Sequence, residues 1–325
     1  MIVKHIGLDL GFGNVKVYGS RGATVFASHL ASPGVAYASD DESTDNETSM
    51  IEFSGVRYAV GESAFTKGSE IAGLGMQRLL GSMEVKAITY AALGAHFRNY
   101  GRPKDGLNVY VGLPAELLTK AEKSATTAAV QGWLVGKHEW LQDGKPTWAV
   151  VDSVTVRSQA AGAMYDMIHT LDGSEAKDAK YAAGNIGIIS VGFNTVELSG
   201  MLLGKAADSM MSSDTYGVRR LLEAYNSRGR SKLPMLDFKL RRGQLNGEYE
   251  NIRQAWSDRV IGFADTIWGK NIYELGRVIA VGGGVEYARP ALEKTFGDRL
   301  WVPDNHIVSI SRGLYKRAVA DGKKA

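Results

Sequence analysis

"IGLDLGFGNVKV", residues 6–17, sets two apolar runs on either side of Gly11, Gly13 and Asn14. The first run carries a carboxylate, Asp9, and the second a lysine, Lys16. One reading is an ordinary β-hairpin, for which Gly and Asn are turn residues. The other is a phosphate-binding hairpin, in which bare backbone N–H groups face an anion and the acid holds a metal ion nearby. A carboxylate in a buried strand is costly unless it is paired or faces a cation.

The rest of the chain repeats this theme. "ATVFASHLAS" follows as a third strand, then an acidic polar stretch, 39–49, reads as a mobile surface loop. "MIEFSGVRYAVGESA" reads as a hairpin turning at Ser54 and Gly55. Residues 82–100 have helical spacing, with Val85, Ile88, Ala92, Ala95 and His96 on one face. A short buried strand, 107–114, and a helix-prone run, "AELLTKAEKSATTAAVQGWL", close the first half. A second cycle then reads as strand, loop and helix over 147–168, a polar connector over 172–185, and a second glycine hairpin over 185–207. Helices are expected at 216–228 and 255–270, with a basic polar stretch over 229–254 between them. Residues 277–296 read as strand, glycine turn and helix, and 300–319 as a short strand, a loop and a terminal helix. Two similar hairpins about 180 residues apart suggest an internal duplication, and two α/β halves whose turns face each other would form a cleft.

Composition bounds the function classes. The chain has 325 residues, 44% hydrophobic and 22% charged, with a net charge of +3. That suits a globular protein of about two domains, and the charge is too small to argue for nucleic acid. The absence of Cys excludes disulfides and thiolate metal sites and fits a reducing cytoplasm. No apolar run approaches the ~20 residues of a membrane span, and Asp9 breaks the N-terminal run, which reads as a strand rather than a signal peptide. With 39 Gly and 7 Pro, many tight turns or close backbone approaches are expected.

Three further stretches carry candidate chemistry. "SVGFNTVEL", 190–198, offers turn residues Gly192 and Asn194, the Thr195 hydroxyl and the Glu197 carboxylate; it is also a plain hairpin. "IAVGGGVEY", 279–287, runs a strand through Gly282, Gly283 and Gly284 into a helix, whose N-terminus attracts anions; close packing reads equally well. It is neither a Walker loop nor a G-x-G-x-x-G fingerprint. "VRSQAAGA", 156–163, places Gln159 at the start of a small-residue helix, as a functional group or a surface cap.

In this order, the motifs resemble the actin-like ATPase superfamily over nearly the whole chain, and within it the ParM-type (StbA-like) prokaryotic actin homologues. The resemblance implies an α/β, actin/Hsp70/ribonuclease H-like two-lobed fold: a duplicated mixed β-sheet with flanking helices around a nucleotide cleft. Lobe I would span 1–165, with a small subdomain inserted at about 30–80. Lobe II would span 166–325, with another at about 215–270 and a C-terminal helix, 309–320, that packs back on lobe I. Residues 6–17 look like the first phosphate loop, 156–167 the first connecting helix, 187–200 the second phosphate loop, 277–289 the adenosine loop and 309–319 the second connecting helix.

The same resemblance assigns roles. Asp9 would hold Mg²⁺ through water. Gly11, Phe12, Gly13 and Asn14 would turn backbone N–H groups toward the β- and γ-phosphates, and Lys16 would contact phosphate. Gln159 would orient the attacking water, since its amide both donates and accepts, and phosphoryl transfer depends mostly on positioning and charge neutralisation. Gly192, Phe193, Asn194 and Thr195 would form the second loop with Glu197 as its acid, and Asn194 would tolerate a left-handed turn. Gly217 would bring a helix start to the nucleotide, and Gly282, Gly283 and Gly284 would lie under its sugar and α-phosphate. The second loop departs from the pattern at three positions: Ser190 and Glu197 stand where the family has Asp, and Asn194 where it commonly has Gly; losing the first Asp implies slower hydrolysis rather than lost binding. Arg219, Arg220 or Lys239 could help grip adenine, although surface charge is the commoner role for each.

The function implied is a nucleotide-dependent, filament-forming ATPase in the cytoplasm, using ATP/ADP and Mg²⁺ and serving plasmid or DNA segregation. Its partners would be further copies of itself, head to tail, and a DNA-bound adaptor protein. Neither a membrane nor direct nucleic-acid contact is required. The alternative is a small-molecule kinase or monomeric ATPase of the same superfamily, against which the missing second-loop Asp counts. A membrane-linked cell-shape protein ranks lower, because the C-terminal apolar face is small, and a chaperone lower still.

Overall fold

The protein is described from a computed structural model covering residues 4–33, 48–71, 75–245 and 247–323. The chain divides into two compact units, 1–113 with 117–157, and 114–116 with 158–325. The boundary expected at 165/166 falls inside a helix; the division at 157/158 keeps that helix whole.

In the first unit, β1 (His5–Leu10), β2 (Asn14–Gly19), β3 (Gly22–Ala27) and β4 (Leu30–Pro33) open the chain. The single strand expected over 23–32 is thus two. Then come β5 (Thr48–Phe53), β6 (Val56–Gly61), β7 (Gly68–Glu70), α1 (Met83–Tyr100) and β8 (Leu107–Leu113). Helix α2 (Lys123–Leu134), β9 (Gly136–Gln142) and β10 (Lys145–Ser158) complete it. Of the acidic stretch 39–49, residues 39–47 lie outside the described residues and 48–49 begin β5.

Among the described residues, one ten-stranded sheet runs β3-β2-β1-β8-β10-β9-β5-β6-β4-β7. Ser54 and Gly55 turn the β5–β6 hairpin with φ of 50° and 74°, as the sequence suggested. Asp143 and Gly144 repeat that geometry between β9 and β10, at 55° and 73°. Two adjacent residues with positive φ match the right-handed strand twist, and Asp-Gly is a favoured pair. The sequence reading left β9 unassigned and placed a loop before the helix at 159. Instead β10 runs straight to Ser158, whose hydroxyl caps that helix by accepting from Ala161 N–H at 3.1 Å.

Ser82 likewise caps α1, accepting from Val85 N–H at 3.2 Å. The helix was expected to bury one face, but every residue from Ala87 to Phe97 is buried, Thr89 and His96 included. It lies against strands β2, β3, β5, β6 and β9, so a single apolar stripe is not the pattern its surroundings select.

The second unit contains α3 (Gln159–Ile168), β11 (Ile186–Val191), β12 (Val196–Leu202), β13 (Lys205–Ala206) and β14 (Ser212–Asp214). Helices α4 (Val218–Tyr225), α5 (Leu233–Arg241) and α6 (Tyr249–Trp268) follow. The chain then forms β15 (Arg277–Val281), α7 (Val285–Phe296), β16 (Leu300–Trp301) and α8 (Ser309–Gly322). The basic stretch 229–254 therefore holds α5 and the first turn of α6. A second sheet runs β13-β12-β11-β15-β16, with β14 also on β12.

The duplication is visible in the ladders. Strand β1 is antiparallel to β2 and parallel to β8; β11 is antiparallel to β12 and parallel to β15. The registers agree as well. Asp9 stands opposite Lys16, and Ser190 opposite Glu197, each pair placed identically around Gly11 and Gly192.

Helices α3 and α8 cross closely. A side chain at Gly313 would collide with the Gly162 carbonyl, and one at Gly162 would lie 2.8 Å from the Ile310 carbonyl. Beside the crossing, the buried Asp166 carboxylate accepts from Ser309 Oγ at 2.7 Å, from Arg312 Nε and Nη2 at 2.7 and 2.6 Å, and pairs with Lys316 at 2.7 Å. Burial lowers the Lys316 pKa, although Asp166 opposes that shift. A carboxylate that deeply buried requires such partners.

Candidate functional site

In the first unit, Gly11, Phe12 and Gly13 link β1 to β2. Ser28 holds this loop from one side: its N–H donates to the Gly13 carbonyl at 3.0 Å and its hydroxyl to the Gly11 carbonyl at 2.8 Å. A side chain at Gly11 would lie 2.5 Å from the Asn14 carbonyl and 2.8 Å from Lys16 Nζ, so the bare backbone is a steric requirement. Asn14 begins β2, and Phe12 packs on the apolar core.

Asp9 is buried, and its Oδ2 lies 3.1 Å from Lys16 Nζ. The charge in the strand therefore has a partner within the hairpin. Lys16, expected to contact phosphate, lies between its own carboxylate and the glycine loop. Ser28 was missed by sequence reading, because its stretch looked like uninterrupted strand.

In the second unit, Gly192 N–H donates to the Thr195 carbonyl at 2.8 Å, closing the loop between β11 and β12. The start of α4 docks onto it. The N–H groups of Gly217, Val218 and Arg219 donate to the carbonyls of Asn194, Gly192 and Phe193, at 3.2, 3.1 and 2.7 Å. Trp256 Nε1 fixes that helix start by donating to the Tyr216 and Gly217 carbonyls. Gly217 must be glycine because a side chain would lie 2.5 Å from the Phe193 carbonyl. Asn194, expected to tolerate a left-handed turn, is not among the residues with positive φ. The Thr195 hydroxyl lies 3.4 Å from Glu197 Oε1.

The glycine run after β15 splits into three tasks. Gly282 has φ of 97°, and a side chain there would collide with the Val191 carbonyl. A side chain on Gly284 would collide with Val191 Cγ1. Gly283 faces open space. The N–H groups of Gly282, Gly284 and Val285 already donate to the carbonyls of His306, Val191 and Gly282. The free donors expected at this helix start are thus largely used within the protein. His306, which sequence reading passed over as loop, is buried; its Nδ1 donates to the Gly282 carbonyl at 2.9 Å and its Nε2 lies 3.3 Å from Glu286.

The expected residues therefore form two groups. Asp9, Gly11, Phe12, Gly13, Asn14 and Lys16 share the β1–β2 hairpin. Gly192 to Thr195, Glu197, Gly217 and Gly282 to Gly284 gather around Val191 at the ends of β11 and β15. Gln159, expected in lobe I, is the buried first residue of α3 and belongs to the second unit. Among the described residues no group of three His, Cys, Asp or Glu could hold a metal ion by itself. One carboxylate beside a phosphate-type loop fits Mg²⁺, which keeps water and phosphate oxygens as most of its ligands.

Comparison with known proteins agrees with this fold. Residues 7–162 match the family described as actin like proteins N terminal domain. No curated protein sequence matches the chain. Among solved structures, the apo pSK41 ParM protein is 18% identical, with TM-score 0.73, covering 100% of this chain and 99% of that one. A 15-stranded ParM filament from Clostridium botulinum is built of a chain 20% identical, with TM-score 0.74 and full coverage of both. Ta0583, an archaeal actin homolog solved in complex with ADP, is 17% identical, with TM-score 0.72, covering 98% of this chain and 100% of that one.

Proposed function

We propose, for a chain whose residues 7–162 match the actin like proteins N terminal domain and whose whole length has the actin-like fold, a nucleotide-dependent, filament-forming ATPase. One observation carries the reading: two glycine hairpins of equal register, each beside a parallel strand, on two equivalent sheets. Relatives in this fold include a ParM filament and an ADP complex.

In the first unit, Asp9 would hold the water shell of Mg²⁺, and Gly11 to Asn14 with Lys16 would meet the β- and γ-phosphates. In the second, Gly192 to Thr195 would meet phosphate, with the carbonyl side of that loop already occupied by α4. Gly283, with open space above it, would lie under the sugar, held there by Gly282 and Gly284. Gln159 would orient water and Glu197 would supply the second carboxylate. Mg²⁺ would supply charge neutralisation at the phosphates. Protomers would join head to tail, and a DNA-bound adaptor would link the filament to plasmid cargo. Among the described residues no helix is long and apolar enough to cross a membrane.

Negative-stain electron microscopy with Mg-ATP, Mg-ADP and no nucleotide tests this reading. Filaments that depend on nucleotide support it. Phosphate release without filaments would leave a monomeric ATPase.

A further inference from the structure

The end of the first unit away from the Gly11 loop contains a second set of cationic groups, around the C-terminus of α1. His5 begins β1 and Gly11 follows its end, so β1 separates the two places by about 16 Å at ~3.3 Å per residue. A cavity of about 50 Å³ lies there, bounded by His5, Arg21, His96 and Arg102 and by the backbone around Gly19 and Gly101. No carboxylate is among its described walls. Arg102 also borders a larger groove of about 650 Å³, with Phe97, Arg98, Gln142 and Lys145. The groove has one acid, Asp143, and it is engaged: Oδ1 accepts from Met50 N–H at 2.8 Å and Oδ2 faces Arg98 at 3.4 Å.

Two buried atoms of residues that line the small cavity, His5 Nδ1 and Arg102 Nε, have no hydrogen-bond partner among the described residues. Leaving such atoms unsatisfied costs about 1–3 kcal/mol each. Arg102 Nε can only donate, so it requires an acceptor. The Arg102 guanidinium is held in place by rings, 4.6 Å from the centroid of Trp148 and 5.7 Å from that of Phe97. Arg21 is fixed by its bond to the Tyr100 carbonyl at 2.8 Å. Burial lowers the His96 pKa to about 4, so the guanidinium groups carry the positive charge and the imidazoles serve as neutral hydrogen-bonding groups. A planar guanidinium with an acceptor-poor neighbourhood is suited to phosphate oxygens. The groove is of the size that small-molecule sites have.

We propose that this end of the first unit binds a small organic phosphate, its phosphate in the His5–Arg21–Arg102 cavity and its body along the Phe97–Gln142 groove. The site is separate from the nucleotide loops and does not depend on them.

Calorimetric titration of the full chain, saturated with Mg-ADP, tests the site with inorganic phosphate and with phenyl phosphate. Both should give saturable heat, and phenyl phosphate should bind about tenfold more tightly through the groove. Arg102→Ala should weaken both by about tenfold or more while ADP affinity stays unchanged, and Arg102→Lys should recover part of the loss. Thermal melts establish that both variants are folded. Equal affinity for the two probes would remove the groove from the proposal and so overturn the organic ligand. The absence of saturable heat, or heat that Arg102→Ala leaves unchanged, would mean that water fills the cavity and would overturn the site.

Discussion

Asp9 Oδ2 lies 3.1 Å from Lys16 Nζ, directly across the β1–β2 ladder, and both side chains are buried. Removing one partner leaves the other charge buried and uncompensated, which costs about 3–5 kcal/mol. Asp9→Ala should therefore lose nucleotide turnover and also stability. Lys16→Met in the Asp9→Ala background should recover most of the stability and none of the turnover. Urea unfolding of the two single variants and the double variant measures the coupling; additive losses would show that the pair does not hold the hairpin.

The second hairpin places Ser190 and Glu197 where the first has Asp9 and Lys16. Ser190→Asp should raise the steady-state rate of phosphate release several-fold by restoring an acid at that position. It also puts a carboxylate at a buried position opposite Glu197, which should lower stability by about 1–3 kcal/mol or more. An unchanged or lower rate would count against slow turnover through Ser190.

Much of this arrangement was legible in the sequence because glycine marks places where backbone conformation or close approach excludes a side chain. Gly11, Gly282 and Gly284 are such places, and each was named. What was not legible depends on distant partners. Ser28 bonds a loop that precedes it by 15 or more residues, and His306 supports a turn more than 20 residues before it. Strand β9 was missed because its polar residues alternate on a half-exposed ribbon, although Asp143-Gly144 signals its hairpin. Helix α1 was given one apolar face because its small residues hide that packing surrounds it.

The three glycines after β15 should respond differently to alanine. Gly282→Ala forces a side chain into φ of 97° and against the Val191 carbonyl, and should destabilise by about 1–3 kcal/mol or more. Gly283→Ala enters open space and should change stability by less than about 0.5 kcal/mol, yet weaken nucleotide binding if the sugar lies over it. Thermal melts and ADP titration separate the two effects; equal stability losses would contradict the division of tasks.

His96 should make stability depend on pH. Burial holds its pKa at about 4, below the ordinary value of 6.5, so the folded state binds fewer protons than the unfolded state. Its contribution is complete above pH 6.5 and is lost as pH falls toward 4, by about 3 kcal/mol in total. His5 and His169 are lowered in the same direction by burial. His96→Gln keeps a partner for Thr24, whose hydroxyl lies 3.0 Å from Nδ1. This variant should show a flatter stability profile than the parent between pH 6.5 and 5. Parallel profiles would show that the ring titrates alike in both states.

The most direct measurement is right-angle light scattering of the purified protein on adding Mg-ATP, with phosphate release followed in the same sample and Mg-ADP and Mg-GTP as controls. A nucleotide-dependent rise, followed by decay as phosphate appears, is the predicted result. A flat trace from protein shown to bind the nucleotide would contradict a filament-forming ATPase.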